Sequence, residues 1–127
     1  GGFAGIRTRA FEVPLDWSNC RGVKLRVRGD GQRYKFILRD DYDWNGVAFT
    51  HSFDTMTSNS NSIQSIEVPF SSFKPIQLAR SIPFRTLNKG SITALQFTLS
   101  KFEYDGMLNP AFKEGPFELM VDSIELY

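Results

Sequence analysis

The strongest constraint on the fold is an alternation of apolar and basic residues in two neighbouring runs, unbroken over 23–28 and repeated over 33–39, where Ile37 replaces one basic residue. Successive side chains of a β-strand point to opposite faces of the sheet, so this period predicts two half-buried strands. The four residues between them, Gly29 to Gln32, form a short glycine-rich link that is typical of a β-hairpin. We therefore predict that the two strands pair directly through this link.

Such a hairpin would gather six cations on one face: Lys24, Arg26, Arg28, Arg33, Lys35 and Arg39. Arg28 would lie opposite Arg33 and Arg26 opposite Lys35, and like charges directly opposite one another destabilise a sheet. An anionic partner such as RNA phosphate, an acidic protein or a lipid headgroup would relieve this repulsion. The alternative is a solvated surface whose charges protect the sheet against edge pairing.

The charge is distributed unevenly along the chain, which favours the partner-binding interpretation. Residues 1–39 carry nine Lys and Arg against three acids, whereas residues 40–127 carry six against eleven. The total of +1 therefore hides a basic first part and an acidic remainder.

Length and composition indicate one folded domain over residues 1–127. The chain is 41% hydrophobic with twelve Phe, which is enough for a core, and it has no apolar run long enough for a transmembrane helix. Its single cysteine, Cys20, excludes an internal disulfide. The first residues contain neither an initiating Met nor a signal peptide, so we expect a fragment of a longer protein.

Strand patterns recur at short intervals and no long segment has a helical period, which predicts an all-β sandwich or barrel. The predicted strands span residues 3–9, 22–28, 33–39, 46–53, 63–68, 92–99 and 117–127. In the last one the apolar parity changes after Val121, so we predict a β-bulge near Asp122 and Ser123.

Two loops differ sharply in composition. Residues 57–62 form a polar tip without an apolar anchor, which predicts mobility. Residues 101–116 contain four large apolar side chains, which predicts an ordered loop folded over the sheet: Phe102, Tyr104, Leu108 and Phe112.

The segment Asp41, Asp43, Trp44, Asn45 is a candidate ligand loop. With Gly46 it matches the opening of a calcium-binding loop, but Ser52 stands where the bidentate Glu should be. A turn stabilised by Asp and Asn side chains is the simpler interpretation, and we predict no metal site.

No set of residues predicts catalysis or a cofactor. His51 is the only histidine and shares the parity of apolar neighbours, so we expect a core residue. Cys20 has no visible base beside it. Neither a phosphate loop nor a dinucleotide fingerprint is present.

Several motifs together resemble the complex I intermediate-associated protein 30 family. They are the basic stretch 21–36, the Arg39-Asp-Asp41 that follows, residues 68–73, and Gly115-Pro-Phe-Glu-Leu before the terminal 123–127. The resemblance covers nearly the whole chain in order. It implies a galactose-binding-like jelly-roll sandwich, related in shape to carbohydrate-binding modules and lacking an N-terminal strand that members usually carry.

The loop 100–110 resembles plant and algal members of the high chlorophyll fluorescence 173 type. In those the domain accompanies a Rossmann-like domain in a chloroplast protein that promotes translation for photosystem II. We therefore predict a non-catalytic interaction module of a chloroplast biogenesis factor that binds RNA or a ribonucleoprotein, together with protein assembly partners. The alternatives are a mitochondrial assembly factor for respiratory complex I and a carbohydrate-binding module.

Overall fold

The computed structural model describes residues 2–57 and 62–127, so residues 58–61 of the predicted polar tip lie outside the described residues. Nine β-strands and one short 3-10 helix occur in those ranges. The strands are β1 Phe3–Arg7, β2 Gly22–Arg28, β3 Arg33–Arg39, β4 Ala48–Asp54, β5 Gln64–Pro69, β6 Lys74–Gln77, β7 Arg80–Ser81, β8 Ala94–Ser100 and β9 Met120–Leu126. The 3-10 helix, Phe70–Ser72, follows β5.

The strands form two antiparallel sheets that pack face to face. The larger sheet has the order β1-β8-β3-β4-β6-β7 and the smaller has the order β5-β2-β9. The apolar side chains between them make one continuous core: Val23, Leu25 and Val27 from β2, Val68 from β5, and Tyr34, Phe36, Leu38, Phe49, Phe53 and Leu99 from the larger sheet. The chain is therefore an all-β sandwich. No helix in the described ranges is long and apolar enough to cross a membrane.

The predicted hairpin between β2 and β3 is wrong, because the two strands belong to different sheets. Their link is a crossover that is buried rather than exposed to solvent. Gly29 lies so close to Thr55 that an added Cβ would stand 2.3 Å from the Thr55 Cβ. Gln32 is 4% exposed, and its Oε1 accepts a hydrogen bond from the Lys113 amide at 2.8 Å. These contacts hold the segment that crosses from one sheet to the other.

Asp30 holds this crossover to the segment that leads into β9. Its carboxylate accepts hydrogen bonds from the Glu118 amide at 2.9 Å, from the Tyr34 hydroxyl at 2.9 Å, and from the Gln32 amide and side chain. Burial alone would raise the pKa of Asp30, but the hydrogen bonds outweigh it and the pKa is lowered. The same carboxylate, with burial, raises the pKa of Tyr34.

We expect Asp30→Ala to lower the free energy of unfolding by about 1–3 kcal/mol at pH 7, because several donors lose their acceptor. A carboxylate whose folded pKa is depressed stabilises the protein above its unfolded pKa of about 4, and this stabilisation is lost as the pH falls through the folded pKa. The difference in the free energy of unfolding between wild type and variant, measured by urea unfolding, should therefore narrow below about pH 4. Asp16→Ala is the control, since Asp16 is fully exposed and bonds only to Ser18. A gap that stays constant from pH 7 to pH 3 would contradict this account.

The predicted bulge in the last strand is confirmed. Arg26 pairs with Ser123, whereas the next residue, Val27, pairs with Val121, so Asp122 is the extra residue. The bulge restores the inward phase of Ile124, which lies opposite Leu25.

The prediction of an ordered loop over the sheet is also confirmed. An isolated bridge joins Phe102 to Leu108, and the Glu103 and Met107 backbones pair at 2.8 Å. Phe112 packs against the core, whereas Phe102 and Leu108 stay more than half exposed. The loop 101–109 thus forms a wall at one end of the outer face of the larger sheet.

Candidate binding surfaces

The predicted basic face is split between two sheets. Lys24 and Arg26 lie on the outer face of the smaller sheet, where each meets an acid. Lys24 Nζ is 3.8 Å from a carboxylate oxygen of Glu67, and Arg26 Nε is 3.5 Å from one of Asp122. Arg28 ends the same strand and is half-buried beside the Met120 sulfur at 3.5 Å. The repulsion expected from a hairpin is therefore absent here.

Arg33 and Lys35 lie on the outer face of the larger sheet and are also engaged. The Arg33 guanidinium donates to both carboxylate oxygens of Asp54, at 2.8 and 3.2 Å, and lies 3.6 Å from Glu103. Lys35 Nζ donates to the backbone carbonyls of Phe102 at 2.9 Å and Glu103 at 3.0 Å. Burial lowers the pKa of Lys35, against the attraction of Glu103. Both cations therefore hold the loop 101–109 against the larger sheet.

Arg39 is buried at the opposite end of that face. Its guanidinium donates to the Gly46 carbonyl at 3.0 Å and to Gln96 Oε1 at 3.2 Å, and its Nε has no hydrogen-bond partner among the residues that the structure describes. Burial lowers its pKa, and the nearby Arg7 lowers it further. Arg39 therefore links β3 to β8 and to the loop before β4, and its charge is not exposed to solvent.

Between these two ends, the outer face carries a groove of about 320 Å³. Strands β3, β4 and β8 supply a floor that mixes apolar and hydroxyl-bearing side chains, including Ile37, Thr50 and Thr98. Aromatic residues stand at its sides, namely Phe3, Phe102 and Tyr104. Sequence reasoning missed this groove, because its residues come from five separate parts of the chain.

The segment from Asp41 to Asn45 is a turn. The Asn45 amide donates to Asp43 Oδ1 at 3.0 Å, and the Gly46 amide donates to the Asp43 carbonyl at 3.0 Å. Trp44 is exposed with the Arg7 guanidinium 4.0 Å from its ring centroid. Within residues 2–57 and 62–127, no three His, Cys, Asp or Glu side chains converge to hold a metal ion.

His51 and Cys20 have different surroundings. The His51 ring packs 6.1 Å from the Phe73 ring, and burial, with a smaller contribution from Lys74, lowers its pKa. Cys20 is half-buried against the core.

Within residues 2–57 and 62–127, no strand covers the side of the sandwich formed by β1 and β9. Each of these strands is the edge of its sheet. Ile6 lies opposite Phe97, which packs in the core, yet Ile6 is 73% exposed. Phe117 is 50% exposed and Val121 37%. These apolar side chains line a cleft of about 260 Å³ together with Ala4, Phe97, Leu99 and Leu119.

Comparison with known protein families gives a match over almost the whole chain. Residues 1–121 match the family described as complex I intermediate-associated protein 30. The chain belongs to this family. The match spans β1 to β8, the crossover and the loop 101–116 and ends within β9, so the resemblance inferred from the motifs is confirmed at the family level. The match does not distinguish the chloroplast branch from the others.

Solved structures support the fold. The chain is similar to the family 11 carbohydrate-binding module of a cellulosomal cellulase from Clostridium thermocellum, with a TM-score of 0.67 and 19% identity over 98% of this chain and 66% of that one. A second structure of the module, in complex with a β-1,3-1,4-mixed-linked tetrasaccharide, has a TM-score of 0.66, 20% identity, and coverage of 98% and 67%. An exo-β-agarase matches with a TM-score of 0.63, 15% identity, 99% of this chain and 18% of the enzyme. This chain thus spans about two thirds of the module chains, and the likeness confirms the jelly-roll sandwich.

Proposed function

We propose that this chain is a non-catalytic interaction domain of an assembly factor for respiratory complex I, acting in the mitochondrion. The observation that carries the proposal is the match of residues 1–121 to the complex I intermediate-associated protein 30 family. An assembly factor works by holding other proteins, so the partners of the domain are proteins.

The apolar open side favours protein partners. Large contiguous apolar surface is uncommon on a monomer and marks interaction sites. Ile6, Phe117 and Val121 are exposed apolar side chains grouped around one cleft, which makes the cleft a candidate contact site. The groove on the outer face of the larger sheet contains two cations, Lys35 and Arg39, but both already bond to protein carbonyls.

The RNA interpretation loses much of its basis, and the chloroplast interpretation gains no support. The basic residues do not form one face, and several of them pair with acids, so we do not propose RNA binding through a shared surface. Lys24 and Arg26 remain exposed enough to contact an acidic partner at the rim of an interface. The family description favours the mitochondrial alternative over the chloroplast one.

A non-catalytic role fits the titratable groups as well. The His51 ring packs against Phe73, and no hydrogen bond to a carboxylate is seen for it among the described residues. Cys20 packs against the core. A catalytic centre would need such groups within hydrogen-bonding reach of one another.

The experiment is native-gel fractionation of mitochondria that contain a tagged version of the protein carrying this chain. We expect the tag to migrate with partly assembled complex I and to leave these particles when the complex is complete. A tag that migrates only at the size of the free protein, in cells actively assembling complex I, would contradict the proposal.

Carbohydrate binding is a second candidate because aromatic side chains stand beside a hydroxyl-lined groove. Aromatic rings stack on sugars, and the related bacterial module was solved with a mixed-linked tetrasaccharide. Calorimetric titration with that tetrasaccharide distinguishes the two functions. The leading proposal predicts no saturable heat, whereas binding that is lost in Tyr104→Ala and kept in Tyr42→Ala would favour the carbohydrate function.

A further inference from the structure

A polar pocket of about 360 Å³ lies beside β4. Its walls come from β4, from the segment that joins the 3-10 helix to β6, and from the loop 101–109, and neither β1 nor β9 contributes to it. Every residue that lines it carries a hydroxyl, an ammonium or an imidazole group: Thr50, His51, Ser52, Ser72, Lys74 and Tyr104. None of these six is an acid, so the lining favours an anion.

The register of β4 and β6 explains why a pocket forms here. The two strands pair only over three residues, and Thr50 with Lys74 is the last pair. Beyond this pair β4 continues to Asp54, whereas the chain on the other side leaves the sheet through the 3-10 helix Phe70–Ser72. The backbone of His51 and Ser52 therefore has no strand neighbour on this side within the described ranges, and the gap beside it is the pocket.

Lys74 supplies a permanent positive charge. Its side chain is exposed, and its Nζ lies 5.6 Å from the centroid of the Tyr104 ring. A hydrogen bond to Tyr104 raises the pKa of Lys74, which keeps the ammonium group charged at neutral pH. The bond also brings the Tyr104 hydroxyl beside the charge.

His51 supplies a second charge that depends on what the pocket holds. Burial and the charge of Lys74 lower its pKa, although its ring donates a hydrogen bond to the Ser72 carbonyl, so the imidazole of the free protein is neutral at pH 7. An anion close to the ring would favour the imidazolium form. One pocket thus combines a fixed cation with one that an anion can induce.

Glu103 is the acid that adjoins this pocket, and its charge is already paired. Its carboxylate accepts a hydrogen bond from the Ser52 hydroxyl at 2.8 Å and lies 3.6 Å from the Arg33 guanidinium. Its side chain is 9% exposed and does not line the pocket. An incoming anion would therefore meet Lys74 and His51 rather than a free carboxylate.

The arrangement of donors matches phosphate better than carboxylate. A phosphomonoester has three terminal oxygens and a charge of about −1.5 to −2 at pH 7, whereas a carboxylate has two oxygens and one charge. The pocket offers a donor from each of three walls, namely His51, Lys74 and the Tyr104 hydroxyl. It also shares Thr50 and Tyr104 with the groove on the outer face of the larger sheet, so a group attached to the phosphate can continue into that groove.

We propose that this pocket binds the phosphate group of a small phosphomonoester, with the organic part of the ligand lying in the adjoining groove. Lys74 and Tyr104 hold the phosphate oxygens, and His51 becomes charged when the phosphate binds. This inference goes beyond the proposed function and does not depend on it.

The test uses NMR of the His51 ring, because His51 is the only histidine of the 127-residue chain and its imidazole signals report on this pocket alone. Phenyl phosphate is the probe, and benzoate, which places a carboxylate on the same ring, is the comparison ligand. We expect saturating phenyl phosphate to raise the midpoint of the His51 titration by about one pH unit. Benzoate should bind at least about tenfold more weakly.

Three variants examine the residues that hold the phosphate. Lys74→Gln should lower the affinity for phenyl phosphate about tenfold or more, since a charge-assisted hydrogen bond is lost. Without ligand, the same variant should raise the pKa of His51, because a like charge is removed. Tyr104→Phe keeps the ring and should lower the affinity about fivefold. Lys113→Gln is the control, because it removes an exposed lysine that does not line the pocket.

An unchanged His51 titration in saturating phenyl phosphate, equal binding of benzoate, or full affinity in Lys74→Gln would each overturn the proposal. Two further ligands identify the source of the phosphate. Inorganic phosphate that binds as tightly as phenyl phosphate would show that the groove holds no organic part, against the proposal. A single-stranded RNA that displaces phenyl phosphate at a lower concentration of phosphate groups would assign the pocket to nucleic acid and overturn it as well. Weaker binding of both would support it.

Discussion

Phe36→Ala should lower the free energy of unfolding by about 3–5 kcal/mol. Phe36 is fully buried on β3, an interior strand of the larger sheet. Its ring centroid lies 4.8 Å from that of Phe97 and 5.9 Å from that of Phe73, so removal of the ring leaves a cavity between the sheets. Urea unfolding followed by fluorescence measures the loss.

Phe84→Ala is the matched control for this prediction. Phe84 is completely exposed, so the same truncation should change stability by no more than about 0.5 kcal/mol. Similar losses in the two variants would show that the core is not where the structure places it.

Gly22→Ala is expected to have the second largest effect, a loss of about 1–3 kcal/mol or more. Gly22 begins β2, the central strand of the smaller sheet, and lies opposite Pro69. A Cβ there would stand 2.5 Å from the Val68 carbonyl oxygen and 2.8 Å from the Pro69 Cα. Since both are backbone atoms, β2 and β5 would have to move apart.

Gly90→Ala provides the comparison, because a Cβ on Gly90 would meet its nearest neighbour, Asn88 Oδ1, at 3.4 Å, which is ordinary contact. We expect Gly90→Ala to stay within about 0.5 kcal/mol of wild type in the same unfolding experiment. If Gly22→Ala were equally mild, the close approach of β5 to β2 would be contradicted.

Local patterns predicted the strands well wherever a period of two was uninterrupted. β2 and β3 have the predicted bounds, and the bulge at Asp122 follows from a change of apolar parity that one chain segment displays by itself. Such features depend on residues that are neighbours in sequence.

β6 and β7 were not predicted, and the turn between them explains why. Leu78 and Ala79 occupy it with φ of 51° and 63°, a conformation that usually calls for Asn or Gly. Contacts from a distant loop stabilise it, since the Asp105 amide donates to the Ala79 carbonyl and the Asp105 carboxylate accepts from the Ser81 amide. The turn itself contains neither Asn nor Gly, so its sequence does not predict a reversal of the chain there.

The candidate surfaces were harder to predict because they depend on tertiary pairing. The acids that neutralise Lys24 and Arg26, Glu67 and Asp122, lie far along the chain, and the basic and acidic parts of the sequence interleave on folding. Ile6 belongs to a predicted strand, but its exposure depends on which strands the smaller sheet contains, and the described part of the chain places β9 at the edge of that sheet. No local pattern reports how many strands a facing sheet will have.

The measurement that tests the account most directly is rescue of complex I assembly in cells that lack the gene encoding this chain. The account predicts that assembled complex I falls on deletion and returns with wild type and with the exposed-surface control Val13→Lys. Ile6→Lys, which folds but has a charged cleft, should restore it poorly. Normal complex I in the deletion cells, by native gel and by activity, would contradict the central claim.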